Sequence, residues 1–294
     1  MKNSTYHRFD IDLILWKIFL AVFACIGGFV LIWCIMDTQH NLPINRMLVL
    51  PILLALGLIT TLFFVAKKLN SFLEKFHRII FPLFFIFYGI LLFGVCSYSR
   101  CIPLYDSGSV YDIALHMAGL KEEANWAYLA RCSNNIIPTV YLSLLFRLGH
   151  LLHLEDVYYV AIFANTIQIL LSLYCIFYIC KKHSGYSYLA GWTGMFFLAA
   201  YLPIISHTQS VYTDAFSFCF AIVAFYIWTN NQEKRQFKKR FHAINLLVGV
   251  LWGIGGGIKA TVLIALVALF LYLLMFKGLK GLLQNVLIFI GCLL

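Results

Sequence analysis

Three short segments carry residue types suited to acid–base or anion chemistry: Tyr105-Asp106-Ser107-Gly108, Thr213-Asp214 and Gly255-Gly256-Gly257-Ile258-Lys259. A carboxylate beside a hydroxyl can take its proton, while an ammonium group or the start of a helix can offset the charge of an anionic leaving group. Asp106 is the candidate base. Lys259, Arg100 and Arg131 are the candidate phosphate-binding cations, and Tyr105, Asp112 and Asp214 are further candidates for contact with a bound molecule. Each residue also has a plainer role open to it. Asp106 and Asp214 can cap the helices that follow them, Asp112 can face water, Lys259 can mark a headgroup boundary, and the three glycines can serve close packing or a turn. His116, His150, His153 and His207 lack metal-ligand spacing and the nine cysteines include no CxxC, so no metal residue is assigned.

The elements that must position these residues are apolar runs. The chain is 62% hydrophobic and 12% charged, whereas a soluble domain is about half apolar and roughly a quarter charged. Charges cluster between runs at 13–36 (interrupted by Lys17), 47–66, 79–97, 157–180, 188–205 and 211–229, then 243–258, 260–276 and a last run from Leu282. Crossing about 30 Å of hydrocarbon takes roughly 20 residues. The expected fold is therefore all-α and polytopic, with about nine transmembrane helices. The net charge of +10 reads as loop anchors facing anionic headgroups of membrane lipids, which excludes nucleic acid as a partner. The polar residues 1–12 lack a cleavage signal ahead of the first run and are expected to be retained. The run from Leu282 reaches Leu294 after about 20 Å of helix, so residues 1–294 are expected to be one membrane domain at the N-terminal part of a longer chain.

Lysine and arginine distribution sets orientation. Lys67, Lys68, Lys75 and Arg78, then Lys181 and Lys182, then Lys234, Arg235, Lys238, Lys239 and Arg240, then Lys277 and Lys280, form the strong clusters. All fall on the cytoplasmic side of a cell membrane only if the N-terminus is cytoplasmic and the apolar segment 138–152 does not span. Ser143, Arg147 and His150 give that segment a polar stripe, so an interfacial helix is expected, with Asn134 or Asn135 as its cap and Pro138 in its first turn. A second short helix is expected at 109–119, with Val110, Ile113, Ala114 and Met117 on one face and Asp112 and His116 on the other. The outer loop 98–156 would then be the largest extramembrane element. It holds Cys101 and Cys132, for which a mutual bond and two free thiols both stay open. Asn165 and Gln168 are expected to bond between helices. Lys17 is the one ionisable residue deep in a run, and ion-coupled transporters usually carry charges near the midplane, so chemistry at the outer interface is favoured.

The order of these features resembles the GT-C superfamily of membrane glycosyltransferases, the type that includes protein O-mannosyltransferases and the aminoarabinose transferase of lipid A. The likeness covers roughly residues 80 to 280. It rests on a span leading to an outer loop with an early aspartate, two juxtamembrane helices, and later spans carrying VYTDAFSFCFAIVAFY and GVLWGIGGGIKATVLIALVAL. The resemblance implies an inverting enzyme that moves a sugar from a polyprenyl-phosphate-linked donor to a glycan, lipid or protein acceptor at the outer face of the cell envelope. It implies that Asp106 is the catalytic aspartate and that Lys259 lies near the donor phosphate. Asp106 is followed by Ser107 and the next acid is Asp112, so the paired acids of many members are missing; no cofactor is required and a divalent cation is left open. A transporter or flippase for a lipid-linked glycan predicts instead a polar cavity at mid-depth, and a membrane scaffold predicts that the outer-face charges lie dispersed.

Overall fold

A computed structural model describes residues 44–100, 103–201, 208–209, 213–232 and 238–293, with side chains from Lys68 onward apart from Ala215 and Lys238. The chain divides into two compact units, 1–67 and 68–294. Of the first, residues 44–67 are described as helical backbone; the expected run 13–36, with Lys17, lies outside the described residues. Within helix α1 (Ile44–Tyr98) residues 68–78 are helical, where the sequence led to an expected loop between two runs. The stretch 67–78, KKLNSFLEKFHR, has neither glycine nor proline, so nothing in it terminates a helix.

The described residues of the second unit form helices joined by short turns, with no strand among them. After α1 come α2 (Tyr105–Met117), α3 (Ala127–Arg131), α4 (Ile136–Leu151), α5 (Tyr158–His183), α6 (Tyr188–Ala199), α7 (Thr213–Asn231) and α8 (Lys238–Ile258). A 3-10 turn (Ala260–Val262) leads into α9 (Leu263–Tyr272), a π-turn (Leu273–Lys277), α10 (Gly278–Gln284) and α11 (Val286–Leu293). Four stretches are long and apolar enough to cross a membrane: Lys68–Tyr98, Tyr158–His183, Lys239–Ile258 and Ala260–Gln284. Tyr188–Ala199 and Phe216–Asn231 are apolar but shorter. The chain is thus an all-helical, membrane-type protein, with four such helices among the described residues against the nine or so spans the sequence suggests.

Two apolar cores organise it. Leu92, Ile113, Phe146, Ile162, Leu173 and Trp192 belong to one, built from α1, α2, α4, α5 and α6; Trp228, Val248, Trp252, Leu273 and Ile288 belong to the other. Helix α7 joins them, with Phe216 in the first and Ala224 and Trp228 in the second. Helices α8 and α11 meet backbone to backbone. A Cβ at Gly253 would lie 2.8 Å from the Cys292 carbonyl, Gly249 abuts Ile288, and Gly291 abuts Leu246. Gly249 and Gly253 form a GxxxG pair, whose missing side chains let two helices approach.

Helix α4 turns Pro138, Thr139, Leu142, Ser143, Phe146 and Gly149 inward and leaves Ile136, Val140, Leu144, Leu148 and Leu151 exposed. The expected polar stripe is therefore split. Ser143 is buried and donates to the Val140 carbonyl at 2.7 Å, while Arg147 donates to the Met117 carbonyl at 2.5 Å and so ties α4 to the end of α2. Asn135 makes no cap bond; its amide donates to the Tyr128 hydroxyl at 2.6 Å.

Candidate functional site

Contacts sort the helix ends into two sets. At one end Ser99 donates to the Gln209 side chain (2.6 Å), Tyr158 to the Gln209 carbonyl (2.7 Å) and Asn165 to the Thr208 carbonyl (3.2 Å). Arg100 pairs with Asp156, and Lys259 pairs with Asp214. At the other end Lys182 donates to Thr229 and Asn230, and Ser187 to Asn70. The sets are the two the charge distribution separates, so Arg100, Asp156, Asp214 and Lys259 share an end opposite Lys182 and Asn70.

The best-built feature at the first end is the Lys259–Asp214 pair. Asp214 sits in the first turn of α7, where a carboxylate favours the helix dipole. Lys259 occupies the extended residue between α8 and the 3-10 turn, its N–H still bonded to the Gly255 carbonyl at 2.9 Å. The glycines before it are helical and serve packing: a Cβ at Gly256 would lie 2.5 Å from Leu263, and one at Gly257 2.5 Å from Ile137. Both charged side chains stay about a third exposed, at 32% and 35%, so the pair is screened and contributes little to stability. Below it opens a cavity of about 540 Å³ lined by Asp214, Ser217 and Thr261 near the pair and by Phe218, Ala221 and Ala265 deeper down. A groove polar at its mouth and apolar in its depth suits an amphiphile.

Asp106 lies in the first turn of α2, exposed, one residue after the start. The N-cap position is Leu104, with no side-chain cap bond, so Asp106 is not a capping residue. Neither an ion pair nor a hydrogen bond joins it to another described residue, the Lys259–Asp214 pair included. Tyr105 beside it is exposed and has a φ of 54°, a left-handed conformation that is unfavourable for a bulky residue and is a feature of functional loops. The Pro103 carbonyl folds onto Gly108, where a Cβ would meet it at 2.9 Å.

The remaining candidates have other work. Arg100 joins Asp156, which also accepts the Tyr158 N–H at 2.9 Å, and Arg100 lies 5.2 Å from the Tyr159 ring. It fastens α1 to the start of α5. Asp112 pairs with Lys121 at 2.8 Å. Arg131 is exposed and contacts only its own helix, through the Ala127 carbonyl at 3.4 Å, among the described residues. Tyr111 in α2 and Tyr141 in α4 stay protonated and so cannot take a proton: burial raises the Tyr111 hydroxyl, and burial, then nearby Cys219, pushes Tyr141 up to about 12. Cys132 is a free thiol, and Cys101 lies outside the described residues. Asn165, Thr166 and Gln168 are held by the Thr208 carbonyl, the Ile162 carbonyl and the Tyr141 hydroxyl. The sequence reading overlooked Asp156, Ser217 and Thr261. Asp156 was findable as the acid opening the helix 158–183; Ser217 and Thr261 become notable only through the cavity. No family model, curated protein or solved structure matches this chain.

Proposed function

We propose that this chain is the membrane-embedded part of a GT-C-type glycosyltransferase that takes a sugar from a polyprenyl phosphate and hands it to an acceptor at the outer membrane face. In this reading the N-terminus is cytoplasmic, the end with Lys259 faces outward, and α2 and α4 lie along the interface. One observation carries it: an apolar groove ends at a lysine–aspartate pair about a third exposed, on the end of the bundle that also holds the carboxylate of Asp106, unpaired among the described residues.

The chemistry is a single displacement. The Asp106 carboxylate takes the proton of the acceptor hydroxyl; the acceptor oxygen bonds to the anomeric carbon; the bond from that carbon to the phosphate oxygen breaks, and its electron pair leaves with the polyprenyl phosphate. The anomeric configuration inverts. Lys259, steadied by Asp214, offsets the charge on the departing phosphate, with Arg131 as a second cation. Arg100 and Asp112 act structurally through their own partners. The exposed row Val140, Leu144 and Leu148 of α4 supports an interfacial helix with its apolar side in lipid.

Asp106→Asn in the full-length protein tests the base directly, with transfer from a polyprenyl-phosphate sugar as the readout. Turnover should fall by about 10²- to 10⁴-fold; unchanged turnover removes Asp106 from the reaction. Membrane-impermeant labelling of Ser107→Cys in intact cells tests sidedness separately, and a residue sealed on the inner side would end the proposal.

A further inference from the structure

The bundle end opposite the candidate site carries a second cavity, of about 770 Å³, between α5, α7 and α9. Its depth is apolar, with Phe225, Ala265, Ala268 and Leu269, and its rim is cationic and polar, with Lys182, His183, Gln232 and Lys277. From Ala265 to Lys277 the wall rises about 18 Å at 1.5 Å per residue, close to one leaflet of a hydrocarbon core about 30 Å thick. We propose that this cavity is a binding site for an anionic phospholipid, its acyl chain between α7 and α9 and its phosphate on Lys277, His183 and Lys182. The proposal does not rest on the sugar-transfer reaction, although the two cavities share Ala265 and Ala268 in their walls.

Two independent features point to that occupant. The first is charge. The rim holds Lys182, His183 and Lys277 and, among the described residues that line it, no acid. A basic pocket between helices at the cytoplasmic face is a recognised anionic-headgroup site, and each lysine near the surface is worth about fivefold in affinity. Lys182 lines the rim, its ammonium held by the Thr229 carbonyl (2.9 Å) and the Asn230 side chain (3.2 Å). The second feature is backbone. The helix widens into a π-turn over Leu273–Lys277 and ends it at Gly278 with a φ of 62°. π-turns inside helices concentrate at functional positions, and both ends of this one, Leu273 and Lys277, line the cavity. The extra residue in the turn alters the direction in which Lys277 leaves the helix.

The test is native mass spectrometry of the full-length protein, released from nanodiscs containing equal dioleoyl phosphatidylglycerol and dioleoyl phosphatidylcholine. Phosphatidylglycerol should be retained in preference. Lys277→Gln should cut that preference by about fivefold and Lys277→Gln with His183→Gln further, while Lys280→Gln, outside the rim, leaves it unchanged. Ala268→Trp should expel the lipid by filling the groove; if that variant fails to fold, the charge variants still decide. Equal retention of the two lipids, or Lys277→Gln retaining phosphatidylglycerol as wild type does, overturns the proposal. So does competition by soluble glycerol phosphate at the strength of the lipid, which would leave the groove no part in binding. Cross-linking of residues 13–36 to Ala268→Cys would show the chain itself filling the cavity and would equally overturn it.

Discussion

At the end of the bundle that carries Lys259, three cations meet carboxylates, Arg100 with Asp156, Lys121 with Asp112 and Lys259 with Asp214, while Arg131 and Arg147 bond backbone carbonyls. At the other end Lys182 leans on a backbone carbonyl and an amide oxygen, and Lys181 lies 3.5 Å from the centre of the Tyr188 ring. The sequence counts agree. Residues 98–156 hold six acids and four lysines or arginines, whereas the segments 181–183, 232–240 and 277–280 hold one acid against nine. An end where acids outnumber cations does not need an anionic lipid surface and leaves Asp106 outside the pairing. Surplus positive charge at helix ends attracts anionic headgroups, which is the physical content of the positive-inside rule.

The comparison breaks most severely at Asp106, where the Asn variant described above removes the base and leaves the pairs intact. Next in size is Lys259→Met. If the lysine acts on the leaving phosphate, turnover drops by about 10²-fold, while unfolding of the purified protein in detergent shifts by less than about 1 kcal/mol because the pair is exposed. A large stability loss with normal turnover would instead make the pair structural.

The basic end is sharpened by Asn285, which is fully buried among α7, α8 and α10. Its side-chain oxygen accepts from Trp228 (3.2 Å), Gln232 (3.1 Å) and Asn245 (3.3 Å). Asn285→Leu removes their shared acceptor, leaves the buried Trp228 N–H without the oxygen it bonds, and should cost about 1–3 kcal/mol, read by denaturant unfolding. The smallest effect is expected from Asp112→Asn. Losing its exposed pair with Lys121 should change stability by no more than about 0.5 kcal/mol and leave transfer untouched. A strong loss of transfer there would return Asp112 to the site.

Much of the fold was legible because membrane burial writes a coarse code. Runs of about 20 apolar residues and the lysines between them do not depend on what a helix packs against. The inward face of α2, with Val110, Ile113 and Ala114, followed from 3.6-residue periodicity alone. The same logic mistook the start of α2 by four residues and inserted a loop into α1, since charge marks a helix boundary only where the backbone also has a reason to stop.

What the sequence determined by itself, then, was an all-helical, membrane-type chain and the division of its helix ends into two sets, because both follow from the cost of taking charge and backbone out of water. Only the tertiary structure decided which charges meet. Lys259 and Asp214 are 45 residues apart, and no local pattern announces that the turn after α8 lands on the start of α7. That contact depends on Gly255, Gly256 and Gly257 letting α8 close on its neighbours, and close packing is a property of surfaces in three dimensions.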